Sequence, residues 1–147
     1  MFNILVLYYS RSGNTEKMAT AVTEGARSID NSNVELSYHV EAEDLGRFDA
    51  IIFGVPTYNH AIPFETEKLL EAAAEWGISF KEKIGAAFGS YGWSGEAPKL
   101  LLEIMKNKFE MNIIAPPLLA KYIPDNLMIH KCQNLGRIVA KALVAQL

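Results

Sequence analysis

An unbroken apolar run near the start of the chain, Ile4 to Tyr9, ends abruptly in Ser10-Arg11-Ser12-Gly13-Asn14-Thr15. A strand with one wet face alternates apolar and polar residues; a continuous run belongs to a strand covered on both faces, as in a parallel sheet. The same signature returns at Phe48 to Gly54 and at Ile84 to Gly89. Parallel neighbours need crossover connections, so helices must lie between these runs. The intervening sequence agrees. From Thr15 a helix is expected with Met18, Val22, Ala26 and Ile29 on one face. Phe64 to Trp76 is expected to turn Leu69, Leu70, Ala73 and Trp76 inward. Ala97 to Phe109 carries the core candidates Leu101, Ile104 and Met105. Asn126 to Leu147 carries a stripe of Leu135, Ile138, Val139, Ala142 and Leu143.

Two further strands look like edges. Val34, Leu36, Tyr38 and Val40 alternate with polar residues. Ile113 to Ile123 contains Pro116-Pro117, which suits an edge strand or a bulge. Glu41 to Arg47 is expected to form one short helical stretch. Five strands alternating with helices, with the second and fifth at the edges, give an α/β doubly wound parallel sheet in the order 2-1-3-4-5. Residues 1–147 are expected to form one domain.

Composition narrows the function classes. Half of the residues are hydrophobic and the formal net charge is −3, so no electrostatic footprint for nucleic acid is present. No apolar run approaches the roughly 18 residues of a membrane span. Ile4 to Tyr9 is too short for a signal-peptide core and no basic segment precedes it. The expectation is a cytoplasmic protein with no membrane and no nucleic-acid partner. Cys132 is the single cysteine and His39, His60 and His130 are scattered, so neither a disulfide nor a metal site is expected. Cys132 reads as a small buried hydrophobe.

In a 2-1-3-4-5 sheet, ligands bind outside the carboxyl ends of the strands at the switch between the first and third. Three loops fall there. Ser10, Arg11, Ser12, Gly13, Asn14 and Thr15 join a buried strand to a helix N-terminus, where N–H groups and the helix dipole favour a phosphate. A polar turn with Asn14 or Thr15 as helix cap explains the same residues. The loop is neither Gly-x-Gly-x-x-Gly nor a Gly-Lys-Ser/Thr loop, which disfavours a dinucleotide or ATP. Pro56, Thr57, Tyr58 and Asn59 offer polar groups and one aromatic face, or a plain surface turn; His60 beside them reads as a solvated loop histidine. Ser90, Tyr91, Gly92, Trp93 and Gly95 place two aromatics among glycines, where the rings stack on a flat heteroaromatic ligand or fold back on their own domain. No acid, base and nucleophile set is visible, so no catalytic residue is assigned.

These motifs resemble the flavodoxin family along essentially the whole chain. The family's phosphate loop, Ser/Thr-x-Ser/Thr-Gly-Asn-Thr, matches Ser10 to Thr15, and its Gly-x-Pro-Thr-Tyr strand end matches Gly54 to Tyr58. Gly89 to Ala97, Pro116-Pro117-Leu118, Lys131-Cys132 and Leu135-Gly136 are most similar to the flavodoxin domain of A-type flavoproteins, the flavodiiron proteins. The diiron domain has no counterpart, so a free-standing short-chain flavodoxin with a three-layer sandwich fold is implied. The resemblance implies FMN as cofactor. Ser10, Ser12, Gly13, Asn14 and Thr15 would hold its phosphate. Pro56 to Asn59 would line one side of the ring system; Tyr91, Gly92, Trp93 and Gly95, with Ser90 at the start of their loop, would line the other. Arg11 departs from the family's neutral phosphate loops, and its side chain is expected to point to solvent. The stretch Thr57 to His60 lacks the Gly that flavodoxins often use to turn a carbonyl toward the flavin. A smaller stabilisation of the one-electron form is therefore expected, with the Tyr58 or Asn59 carbonyl as the partner. The implied function is electron transfer between redox partner proteins such as ferredoxin or a flavin/iron–sulfur oxidoreductase, by a monomer or weak homodimer. The alternative is a flavin-dependent oxidoreductase acting on a quinone or porphyrinogen.

Overall fold

A computed structural model describes residues 1–146. The chain runs β1 (Phe2–Tyr8), α1 (Asn14–Arg27), β2 (Ser32–Ser37), a 3-10 helix (Ala42–Arg47), β3 (Ala50–Gly54) and α2 (Phe64–Glu75). It continues with β4 (Ile84–Tyr91), α3 (Glu96–Asn107), β5 (Asn112–Ile113), β6 (Leu118–Lys121) and α4 (Asn126–Val144). Every strand pairing is parallel and the sheet order is β2-β1-β3-β4-β5. Both β5 and β6 pair with β4. The fifth position of the sheet is therefore one strand broken in two, at the segment holding Pro116 and Pro117. Proline has no N–H for the ladder, so pairing stops there and resumes at Leu118.

The continuous apolar runs are buried on both faces, as their composition demands. On one face Ile4, Val6 and Ile52 pack with Met18 and Val22 of α1 and Leu135 and Val139 of α4. On the other Leu5, Ile51 and Phe53 pack with Leu45, Leu70, Leu101 and Met105. Helices α1 and α4 touch backbone to backbone. A Cβ on Gly136 would lie 2.0 Å from the Val22 carbonyl oxygen, so no larger residue fits.

Several element ends differ from expectation. Strand β2 stops at Ser37, leaving Tyr38 exposed, and Val40 is buried from outside the strand. Trp76 was expected inward but is 63% exposed, because α2 ends at Glu75 and the chain turns away through Gly77 at φ 71. Ile138 sits at the edge of its helical stripe and is partly exposed, while Leu135, Val139 and Leu143 are buried. Helix α4 ends at Val144, and Leu147 of the expected helix lies outside the described residues. Strand β4 runs on through Ser90 and Tyr91, which the glycines beyond them made look like loop. Cys132 is fully buried, and burial pushes its thiol up to about 12, which leaves it a packing residue. No described helix is long and apolar enough to cross a membrane.

Candidate functional site

The sheet ladder extends past the strand ends and aligns the three loops. Tyr9 N–H donates to the Gly54 carbonyl at 2.9 Å, Val55 N–H to Phe88 at 2.9 Å, and Thr57 N–H to Ser90 at 3.4 Å. The close passage depends on Gly89, where an added Cβ would meet the Val55 carbonyl oxygen at 1.8 Å. The loops after β1, β3 and β4 thus leave the sheet side by side at its carboxyl end.

The first loop is held from within. Gly13 N–H donates to Ser10 Oγ at 3.0 Å and Asn14 N–H to Ser12 Oγ at 3.4 Å. Gly13 precedes α1 at φ 89, a left-handed conformation that glycine adopts without a steric cost. The N-cap position is Gly13, which has no side chain, so the alternative of an Asn14 or Thr15 cap is not formed. The first-turn N–H groups of a helix have no intrahelical acceptor. The Thr15 side chain faces inward and is 1% exposed. Its Oγ1 lies 2.8 Å from Ser90 Oγ and accepts the Ser90 N–H at 3.3 Å. Thr15 therefore ties the first loop to the third.

The second loop is a tight turn. Ala61 N–H donates to the Tyr58 carbonyl at 3.1 Å, and Asn59 and His60 both have positive φ, 52 and 62. Two left-handed central residues make a primed turn that asparagine tolerates better than most residues. The Tyr58 carbonyl is engaged within the turn; the Asn59 carbonyl is not among the loop's backbone bonds. Arg11 is exposed to solvent, as expected, and lies over the neighbouring aromatic rings. Its guanidinium lies 4.7 Å from the centre of the Tyr58 ring, and its Nε donates to Tyr9 Oη at 3.3 Å. Tyr9 and Tyr58 meet edge to face at 6.4 Å.

The third loop is tied to the second twice. Ala97 N–H donates to Thr57 Oγ1 at 2.9 Å. His60 Nδ1 lies 2.6 Å from Glu96 Oε2 and 2.9 Å from Ser94 Oγ. The Ser94 hydroxyl, and after it the His60 imidazole, hold the Glu96 carboxyl below the usual carboxylate range. Trp93 is 92% exposed at the rim.

A cleft of about 520 Å³ lies between these loops, within the range of small-molecule sites. It brings together Arg11, Ser12, Asn14, Pro56, Thr57, Tyr58, Asn59, Ser90, Tyr91, Gly92 and Trp93. Ser10 and Gly13 line instead a neighbouring cavity of about 640 Å³ that shares Arg11 and Ser12 with this cleft, Thr15 is buried against Ser90, and Gly95 packs against Tyr91 and Leu119. Tyr122 also lines the cleft and was missed in the sequence. It follows β6 directly, so the rule that ligand loops sit at strand carboxyl ends was the available signal. Its N–H donates to the Tyr91 carbonyl at 2.7 Å. The pairing of His60 with Glu96 left no sequence signal, because 36 residues separate them. A separate groove of about 440 Å³ opens between β1 and α2, flanked by Tyr38 and Trp76. Among the described residues no cluster of His, Cys, Asp or Glu could hold a metal.

A parallel doubly wound sheet with an anion-ready helix terminus and aromatic walls at its switch point defines a nucleotide-type cofactor domain. The family model described as Flavodoxin matches residues 6–133, and the chain belongs to the flavodoxin family. An archaeal flavodoxin structure superposes with a TM-score of 0.86 at 35% identity, covering 97% of this chain and 99% of that one. Flavodoxin 1 of Bacillus cereus superposes with a TM-score of 0.84 at 25% identity, covering 95% and 97%. The rubredoxin-oxygen oxidoreductase of Megalodesulfovibrio gigas is 32% identical over 98% of this chain but only 36% of its own length. The anaerobic nitric oxide reductase flavorubredoxin of Aeromonas hydrophila is 31% identical over 94% of this chain and 28% of its own. The chain thus spans about a third of the length of these curated relatives. The cofactor of the family is FMN, and the cleft suits it. The exposed start of α1 offers N–H donors and hydroxyls to a phosphate, and Tyr58, Tyr91 and Trp93 offer faces to a flat ring.

Proposed function

We propose that this chain carries electrons between redox partner proteins through FMN held in the loop cleft. The observation that carries the reading is the convergence of the α1 N-terminus and two aromatic-bearing loops on one cleft at the sheet's carboxyl edge. In this reading Ser10, Ser12, Asn14 and the N–H groups around Gly13 and Thr15 hold the phosphate. The Thr15 hydroxyl acts through Ser90, and Thr15 contributes its backbone. Pro56 to Asn59 form one wall, and Ser90 to Trp93 the other, with Gly95 allowing Tyr91 its close packing. Arg11 braces Tyr58 from outside rather than holding phosphate. FMN supplies the redox chemistry when bound; the protein orients it and sets its surroundings.

The partners are proteins such as ferredoxin or a flavin/iron–sulfur oxidoreductase, and the chain acts as a monomer or weak homodimer in the cytoplasm. Support for protein partners comes from the relatives, a flavorubredoxin and a rubredoxin-oxygen oxidoreductase, whose names carry the redox protein rubredoxin. Support for a carrier comes from the two flavodoxins that superpose on this chain over almost their whole length. The test is stopped-flow mixing of the yellow holoprotein with reduced ferredoxin, with NADPH and, once reduced, with a quinone. Rapid bleaching by ferredoxin and none by NADPH is expected. Multiple turnover of quinone with NADPH, and no exchange with protein donors, would overturn the reading in favour of an enzyme.

A further inference from the structure

His60 stands at the junction of two cavities and of two cleft walls. It shares a small pocket with Thr57, Asn59 and Trp93, which also line the cofactor cleft. Its ring makes its recorded contacts through Nδ1 alone, with Glu96 Oε2 at 2.6 Å and Ser94 Oγ at 2.9 Å. A carboxylate only accepts hydrogen bonds, so the shorter contact places a proton on Nδ1. The position that gains or loses a proton is then Nε2, and among the described residues no hydrogen bond reaches it. This is the arrangement of an imidazole oriented by a carboxylate, with the outer nitrogen open to exchange. It is not a hydrolytic triad, because the Ser94 hydroxyl lies on the same nitrogen as the carboxylate.

We propose that the His60–Glu96 pair is a proton-exchange site of the cofactor cleft: Nε2 takes up part of a proton from water, up to about one half, for each electron that the cofactor takes from its donor. The inference rests on the FMN reading of the cleft. Negative charge arriving beside an imidazole favours its charged form, and by linkage a protonated imidazole favours electron uptake to the same degree. Most of the charges that face the ring are acidic. Glu96 faces it from the start of α3, and Ser94 and His60 together keep that carboxylate ionised. The groove on the far side of His60 adds Glu67 from α2 and Glu103 from α3, with Lys108 opposing them. Among the residues lining the cofactor cleft the charged one is Arg11, which lies over the Tyr58 ring.

The test begins with FMN titration of apoprotein, followed by reduction potentials measured from about pH 5 to 9, across the imidazole range. His60→Asn is the informative variant, because asparagine tolerates the left-handed backbone at this position. The expected result is about a tenfold higher proton affinity at His60 in the reduced protein. That corresponds to an extra fall of about 59 mV per electron with rising pH, lost in His60→Asn. The His60 ring proton resonances should titrate about one pH unit higher in reduced than in oxidised holoprotein. In apoprotein, Glu96→Gln should lower the same midpoint. Superimposable potential–pH curves for wild type and His60→Asn, in proteins that bind FMN, would overturn this proposal alone. An apoprotein that takes up no FMN would overturn the cleft reading and this proposal together.

Discussion

At the phosphate end of the cleft Thr15 is buried and bonded to Ser90, and Ser10 and Ser12 accept the N–H groups of their own loop. At the ring end Trp93 stands almost wholly exposed, and Asn59 and His60 hold left-handed backbone in a turn clasped by Glu96. The first region is anchored to the core through Thr15, whose buried hydrogen bonds contribute to folding, although Arg11 and Ser12 are exposed. The second is a surface shaped by side-chain ties between loops, and its aromatics contribute little to the fold. The contrast suits a carrier. An anchor must hold, while a redox edge must face a partner.

The comparison yields effects that fall in size from frame to rim. Gly89→Ala should cost about 3 kcal/mol or more of stability in urea denaturation, since the new methyl overlaps the Val55 carbonyl. A midpoint unchanged from wild type would show that the loops are not locked through this passage. Ser12→Ala should weaken FMN by about 1.5–3 kcal/mol, the range for a hydrogen bond to a charged group, and leave riboflavin binding alone. Equal losses for both ligands would remove Ser12 from the phosphate. Thr15→Val leaves the buried Ser90 hydroxyl without its partner and should cost about 1–3 kcal/mol of stability. Trp93→Ala should leave stability within about 0.5 kcal/mol, as for an exposed residue, and weaken FMN by about 0.5–1.5 kcal/mol while restoring flavin emission. A large loss of stability in that variant would mean that the ring end is part of the core after all.

The fold was legible because burial on both faces writes itself into continuous apolar runs, as at Ile4 to Leu7 and Ala50 to Phe53. The edge position of the last strand was legible at Pro116-Pro117, since proline removes a ladder donor, but its division into β5 and β6 was not. Trp76 was not: a helical stripe gives no sign of where the helix stops, and one residue past the end of α2 the ring leaves the core. The three loops were legible from strand–loop–helix placement together with their polar and aromatic residues. What each side chain does inside them was not. The inward Thr15, the Arg11–Tyr58 stack and the His60–Glu96 pair depend on which loops the sheet sets side by side, and local sequence carries no record of that.

The most direct measurement is the map of backbone amide shifts as FMN is added to isotope-labelled apoprotein. The largest changes are expected at Ser10 to Thr15, Tyr58, Asn59 and Tyr91 to Trp93. Riboflavin should reproduce the changes at the two ring-side loops but not those at Ser10 to Thr15. Shifts centred instead on Tyr38, His39 and Trp76, around the groove between β1 and α2, would contradict the assignment of the cleft.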